Sequence, residues 1–134
     1  MYKISVSKHF DAAHFLREYE GKCARMHGHR WTVEVNLMGK FLDGLGMLVD
    51  FGKVKSILNH IIDEQFDHYT INDFYPFVTT NPTAENIAMY FYVMLKPQLP
   101  ELLDSVRVYE SPDCFAEYYG HFKYEQKEVD KDVS

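Results

Sequence analysis

From Trp31 to Gly39 the chain alternates Trp31, Val33, Val35 and Leu37 with Thr32, Glu34 and Asn36, and this two-residue period constrains the fold more than any other stretch. Successive side chains of a strand point to opposite faces. The run therefore predicts a half-buried strand over residues 30–41, in an antiparallel sheet that is apolar on one side. Ile4, Val6, Lys8, Phe10 and Ala12 give an earlier strand over residues 2–16. The polar connection 17–26, with Gly21, makes the two a hairpin.

Two histidines stand at the entrance to that second strand. If it starts slightly early, His27 and His29 share a face about 6.5 Å apart at roughly 3.3 Å rise per residue. Their imidazoles can then converge on one ion. His14, near the end of the first strand, is the natural third ligand, and three protein ligands with one open position is the catalytic arrangement of zinc. Cys23 leaves an alternative open, because its thiolate could close a structural Cys-His₃ site instead.

The rest of the chain supplies two helices and a second strand pair. Asp43–Gly46 is a turn, and Asp50 caps a helix to about Gln65 whose Phe51, Val54, Leu58, Ile61 and Ile62 recur at helical spacing. Asn81-Pro82-Thr83 starts another helix, with Pro82 in its first turn and Glu85 at its positive end. This helix runs to about Lys96 through Ile87, Phe91, Met94 and Leu95, and Pro97 and Pro100 end it. Residues 106–110 and 115–124 are the last strands, around a turn at Ser111-Pro112-Asp113. The order β-β-α-α-β-β predicts a two-layer α+β domain: a four-stranded antiparallel sheet with both helices on one face. A single domain spans 1–124, and the charged segment 125–134 reads as a flexible tail.

Length and charge narrow the function. At 134 residues the chain makes one domain, and its formal net charge of −6 provides no field to draw in nucleic acid or an anionic membrane. Any anionic ligand then needs a local pocket. Two cysteines, no apolar leader and no apolar run of about 18 residues point to a cytoplasmic protein with free thiols.

Beside a metal, something must move protons. Cys23 has basic neighbours, Lys22 and Arg25, that favour a thiolate; otherwise it is a loop thiol. Asp67-His68 can act as a relay only from a turn, since adjacent strand residues point apart; otherwise the pair is a helix-exit cap. Glu110 follows Val106 and Val108 on the buried face, where a carboxylate is costly unless partnered. A ligand with an amidine-like N–H pair, such as a pterin, would hold it bidentately; a strand-end glutamate facing solvent is the plainer reading. His9, His60 and His121 read as ordinary surface or core histidines.

Phe10-Asp-Ala-Ala-His14, Cys23-Ala-Arg-Met-His27-Gly-His29, Met47-Leu-Val-Asp50-Phe51, Phe66-Asp67-His68, Pro82-Thr-Ala-Glu85-Asn86 and Val108-Tyr-Glu110-Ser-Pro follow one another over nearly the whole chain. Together they resemble the 6-pyruvoyl-tetrahydropterin synthase family. Aspartate at 11 departs from the small residue common there. The four-residue step from Cys23 to His27 is similar to the bacterial and archaeal 6-carboxy-5,6,7,8-tetrahydropterin synthases of the queuosine (7-deazaguanine) pathway.

The resemblance implies a tunnelling fold (T-fold) that assembles as a homohexamer, a dimer of trimers with active sites at subunit interfaces. It implies Zn²⁺ on His14, His27 and His29, Cys23 as the proton-abstracting thiolate, Asp67 and His68 as the acid/base pair, and Glu110 as the pterin anchor. Thr83 and Glu85 would line the pterin end, and Arg25, Lys22 and Lys53 are the candidates for the triphosphate. The implied reaction is that of a lyase, converting 7,8-dihydroneopterin triphosphate and water to 6-carboxytetrahydropterin, acetaldehyde and triphosphate. Two alternatives stand beside it. One is a 6-pyruvoyl-tetrahydropterin synthase acting on the same substrate, and the other a non-catalytic zinc-stabilised module.

Overall fold

A computed structural model describes residues 1–120 of the chain. Its elements are β1 (Tyr2–His14), β2 (His27–Gly39), α1 (Phe51–Gln65), α2 (Ala84–Leu95), β3 (Leu103–Ser111) and β4 (Cys114–Tyr119). The strands form one antiparallel sheet in the order β1-β2-β3-β4. The α+β arrangement expected from the residue pattern is the one observed. The expected extension of the last strand to Tyr124, His121 and the tail 125–134 lie outside the described residues.

Alternation decides which side of the sheet is covered. Val6 and Phe10 of β1, Trp31, Val33 and Val35 of β2, and Val106 and Val108 of β3 share one face and are almost fully buried. Onto that face α1 brings Val54, Leu58, Ile61 and Ile62, and α2 brings Ile87, Ala88, Phe91 and Leu95. Each such large apolar side chain contributes about 1.5–3 kcal/mol relative to exposure. Phe10, Phe66 and Phe91 interlock at the centre, with ring centroids 4.6–6.4 Å apart.

Helix starts follow the sequence closely. The Asp50 carboxylate accepts from the Gly52 amide at 2.8 Å, and the Thr83 hydroxyl accepts from the Asn86 amide at 3.1 Å. Pro82 is therefore outside α2, just before its cap, rather than in its first turn. Two side chains expected in the buried stripes are exposed. Phe51, the first residue of α1, lines an apolar cavity with Tyr2, Ile4 and Leu48, and Met94 lies off the line of Ile87, Phe91 and Leu95.

β1 ends at His14, two residues earlier than expected, because side-chain amides take over the pairing. Asn72 accepts from the Phe15 amide at 2.9 Å and donates to the Phe15 carbonyl at 3.0 Å. Asn81 does the same for Arg17, at 2.8 and 3.0 Å. These two clamps turn the chain away from the sheet and into the segment that carries Cys23. β3 begins at Leu103, earlier than the alternation suggests, since the polar Asp104 and Ser105 are buried strand residues.

Candidate metal centre

Antiparallel register sets His14 directly across from His27 and Ala12 across from His29. All three imidazoles therefore emerge on the helix-covered face, at the end of the sheet nearest the start of α2. Their ring centroids lie 4.5, 5.2 and 4.7 Å apart. Trp31, wholly buried, backs the group: its ring meets His14 at 4.8 Å and His29 at 5.4 Å, and its indole N–H donates to the Ala12 carbonyl. Glu110 of β3 completes the set, and one donor atom from each of His14, His27, His29 and Glu110 lies within 4.8 Å of the others.

Backbone carbonyls aim two of the rings. His14 Nδ1 is 2.8 Å from the Pro82 carbonyl, and His27 Nδ1 is 2.6 Å from the Arg25 carbonyl. A carbonyl only accepts, so Nδ1 carries the proton in each, and Nε2 is the atom left to offer. Burial, opposed by the Pro82 bond and by Glu110, holds the His14 pKa below its ordinary value. Burial does the same for His29, again against Glu110. Both rings are thereby kept in the neutral form that a metal ligand requires.

This geometry tests whether a cation fits. His14 Nε2 stands 3.5 Å and His29 Nε2 2.9 Å from Glu110 Oε1, and the buried His14 Nε2 has no hydrogen-bond partner among the described residues. For His14, whose proton is on Nδ1, this sets a bare Nε2 lone pair facing a carboxylate, which is repulsive, and buried polar atoms are ordinarily satisfied. A positive ion among the four converging donors removes that penalty, so the residues suit a divalent metal bound by nitrogen and oxygen.

The other expected site residues are distributed around this group. Cys23, half-buried with a free thiol, lies in a short 3₁₀ turn, Lys22–Ala24, whose Cys23 carbonyl accepts from the Leu16 amide. It is not one of the four clustered donors; Glu110 takes the place a Cys-His₃ site would give it. Glu85 and Glu110 line a cavity of about 250 Å³ with Cys114 and Phe115. Thr83 is occupied as the cap of α2.

Asp67 and His68 do sit in a turn, as a relay requires. His68 has φ +65°, the left-handed region, and its Nε2 is 3.6 Å from Asp67 Oδ2. The turn is fastened to the free edge of β1: the His68 amide donates to the Asp11 carbonyl at 2.7 Å, and the Asp11 amide to Asp67 Oδ1 at 3.1 Å. His68 is 79% exposed and lines a cavity of about 440 Å³ with Asp11, Ala13, Gly28 and Arg30, which His29 and Ala12 also border. Asp11, Ala13, Gly28 and Arg30 alternate with the imidazole-bearing positions and face the opposite side of the sheet, so the cavity wraps the end of the β1-β2 pair and reaches His29 of the metal group.

Sequence reading missed the groups that position the site. Pro82 and Arg25 act through their carbonyls, which no residue letter distinguishes, and the Asn72 and Asn81 clamps depend on partners more than fifty positions away. For Asn81 one signal existed, its place beside the helix-starting Pro-Thr.

The profile of the family described as 6-pyruvoyl tetrahydropterin synthase matches residues 3–121. A *Rickettsia bellii* protein named 6-carboxy-5,6,7,8-tetrahydropterin synthase is 33% identical over 138 residues, covering 87% of this chain and 99% of its own length. A *Drosophila melanogaster* protein named 6-pyruvoyl tetrahydrobiopterin synthase is 33% identical over 110 residues, covering 78% of this chain and 66% of its own. The solved structure of *Caenorhabditis elegans* 6-pyruvoyl tetrahydropterin synthase superposes with a TM-score of 0.82 at 30% identity, over 90% of this chain and 96% of that one.

Proposed function

Because this chain belongs to the 6-pyruvoyl tetrahydropterin synthase family, we propose that it is a zinc-dependent 6-carboxy-5,6,7,8-tetrahydropterin synthase of the queuosine pathway. It converts 7,8-dihydroneopterin triphosphate and water to 6-carboxytetrahydropterin, acetaldehyde and triphosphate. The observation that carries this reading is the convergence of three imidazoles, two of them aimed by backbone carbonyls, beside a carboxylate that also borders a cavity.

His14, His27 and His29 would hold the zinc, which when bound supplies Lewis acidity toward the oxygens of the substrate side chain. Glu110 stands between the imidazoles and the 250 Å³ cavity. From there its carboxylate receives the 2-amino and ring N–H groups of the pterin as a bidentate pair. Glu85 lines the far side of the same cavity, and Thr83 fixes the turn that carries it. Cys23, as thiolate, takes a proton from the side-chain carbon, and His68, oriented by Asp67, returns one.

His68 stands with Asp67 on a turn at the free edge of β1, 79% exposed and open to a neighbouring copy. The pair therefore serves the centre of a neighbouring copy, in a homohexamer built as a dimer of trimers with active sites at the subunit interfaces. The assembly works in the cytoplasm, and none of the described helices is long and apolar enough to cross a membrane. The catalytic domain covers residues 1–124.

The *Drosophila* relative matches at the same identity, so retention of the three-carbon side chain as 6-pyruvoyltetrahydropterin is the second reading. Mass spectrometry of the products from dihydroneopterin triphosphate separates the two. Acetaldehyde with 6-carboxytetrahydropterin is the expected result, and a pyruvoyl product without acetaldehyde would overturn it.

A further inference from the structure

The triphosphate carries several negative charges toward a chain that is itself at −6, so a locally held cation has to meet it. Arg30 has the required surroundings. It faces away from the imidazoles, paired across the strands with Asp11, whose Oδ1 lies 3.3 Å from the guanidinium Nε. Its two terminal amino groups have no partner among the described residues. Asp11 is in turn fixed to the Asp67-His68 turn through both its backbone amide and its carbonyl. Arg30 also borders two cavities, the 440 Å³ one it shares with His68 and one of about 360 Å³ with Thr32 and Tyr109.

Other arginines are differently engaged. Arg107 is held between Glu34 at 3.5 Å and Glu117 at 3.0 Å and covers the Phe115 ring. Arg17 donates to the Thr80 carbonyl and lies over Phe15. Arg25, the candidate from the sequence, is exposed and lines none of the cavities described above. Arg30 alone of the four described arginines is steadied through one nitrogen while presenting its planar N–H fork to a cavity, and that fork matches phosphate oxygens bidentately.

We propose that Arg30, steadied by Asp11, receives the triphosphate tail of the pterin substrate in the cavity it shares with His68. This rests on the reaction proposed above, and the same cavity is bordered by His29 of the metal group. Asp11 keeps the guanidinium beside the proton-transferring histidine, so the leaving group and its proton donor are presented together.

The test is calorimetric titration of inorganic triphosphate into the full-length, zinc-loaded protein and its Arg30→Ala and Arg30→Lys variants, alongside steady-state kinetics. Arg30→Ala is expected to weaken triphosphate binding about tenfold or more, the size of a lost charge-assisted hydrogen bond, and to raise KM with kcat little changed. Arg30→Lys keeps the charge without the fork and recovers part of the loss. Binding of dihydroneopterin, which lacks the phosphates, is expected to stay as in the parent protein. Triphosphate bound by Arg30→Ala as tightly as by the parent, or an equal loss for dihydroneopterin, overturns the proposal. Because triphosphate binding is read without turnover, a protein that binds it through Arg30 yet releases no acetaldehyde refutes the proposed reaction and leaves this inference standing.

Discussion

The two faces of the sheet hold their functional groups in opposite ways. On the helix-covered face His14 is 1% exposed, backed by Trp31 and aimed by a carbonyl; at the free edge of β1, beside the face that carries Asp11 and Arg30, His68 is 79% exposed on a turn at a positive φ. The first set is preorganised within one chain, whereas the second is held through the His68 amide and the Asp67 carboxylate and leaves its imidazole open. A metal centre demands fixed donors, while a proton-transferring group has to meet something from outside.

The largest effect should come from breaking the closed face. His14→Ala removes a buried ligand together with its tie to Pro82, so zinc content measured by mass spectrometry is expected to fall to near zero and turnover with it. Full zinc occupancy in this variant would place the metal elsewhere.

Sharper is an experiment across the two faces. Cys23→Ala and His68→Ala are each expected to keep zinc and lose turnover. Mixed by denaturation and refolding, they should regain about a quarter of the active sites if His68 acts on a neighbouring copy, the share random mixing gives. No recovery in verified mixed assemblies would return both residues to one chain's site.

A smaller change is expected where the closed face meets the ligand. Glu110→Ala should weaken pterin binding by about tenfold to a hundredfold, as for a lost hydrogen bond to a charged group, with zinc retained. Unaltered pterin affinity accompanied by zinc loss would make Glu110 a fourth ligand rather than an anchor.

Much of the closed face was legible because its determinants are side chains at regular spacing. Trp31, Val33, Val35 and Leu37 announce β2, Asp50 announces α1, and two histidines one residue apart on a strand must share a face. The open face was harder to read. Its central element is a turn whose backbone is bonded to β1, and the left-handed conformation of His68 has no mark in the letters Phe-Asp-His. Where polar residues interrupt the alternation the pattern also fails: β3 begins three residues early because the Ser105 hydroxyl bonds to Glu117 and receives a bond from Asn36. Such cross-strand networks are set by register, which is known only once strands are paired.

Trp31 is the single tryptophan of the sequence, and it stacks edge-on against two of the three proposed ligands. The intrinsic fluorescence of the indole therefore originates within van der Waals reach of the centre itself. Loading or stripping the ion changes the charge on the adjoining imidazoles, so emission near this one chromophore follows occupancy directly, without a label and without a substrate.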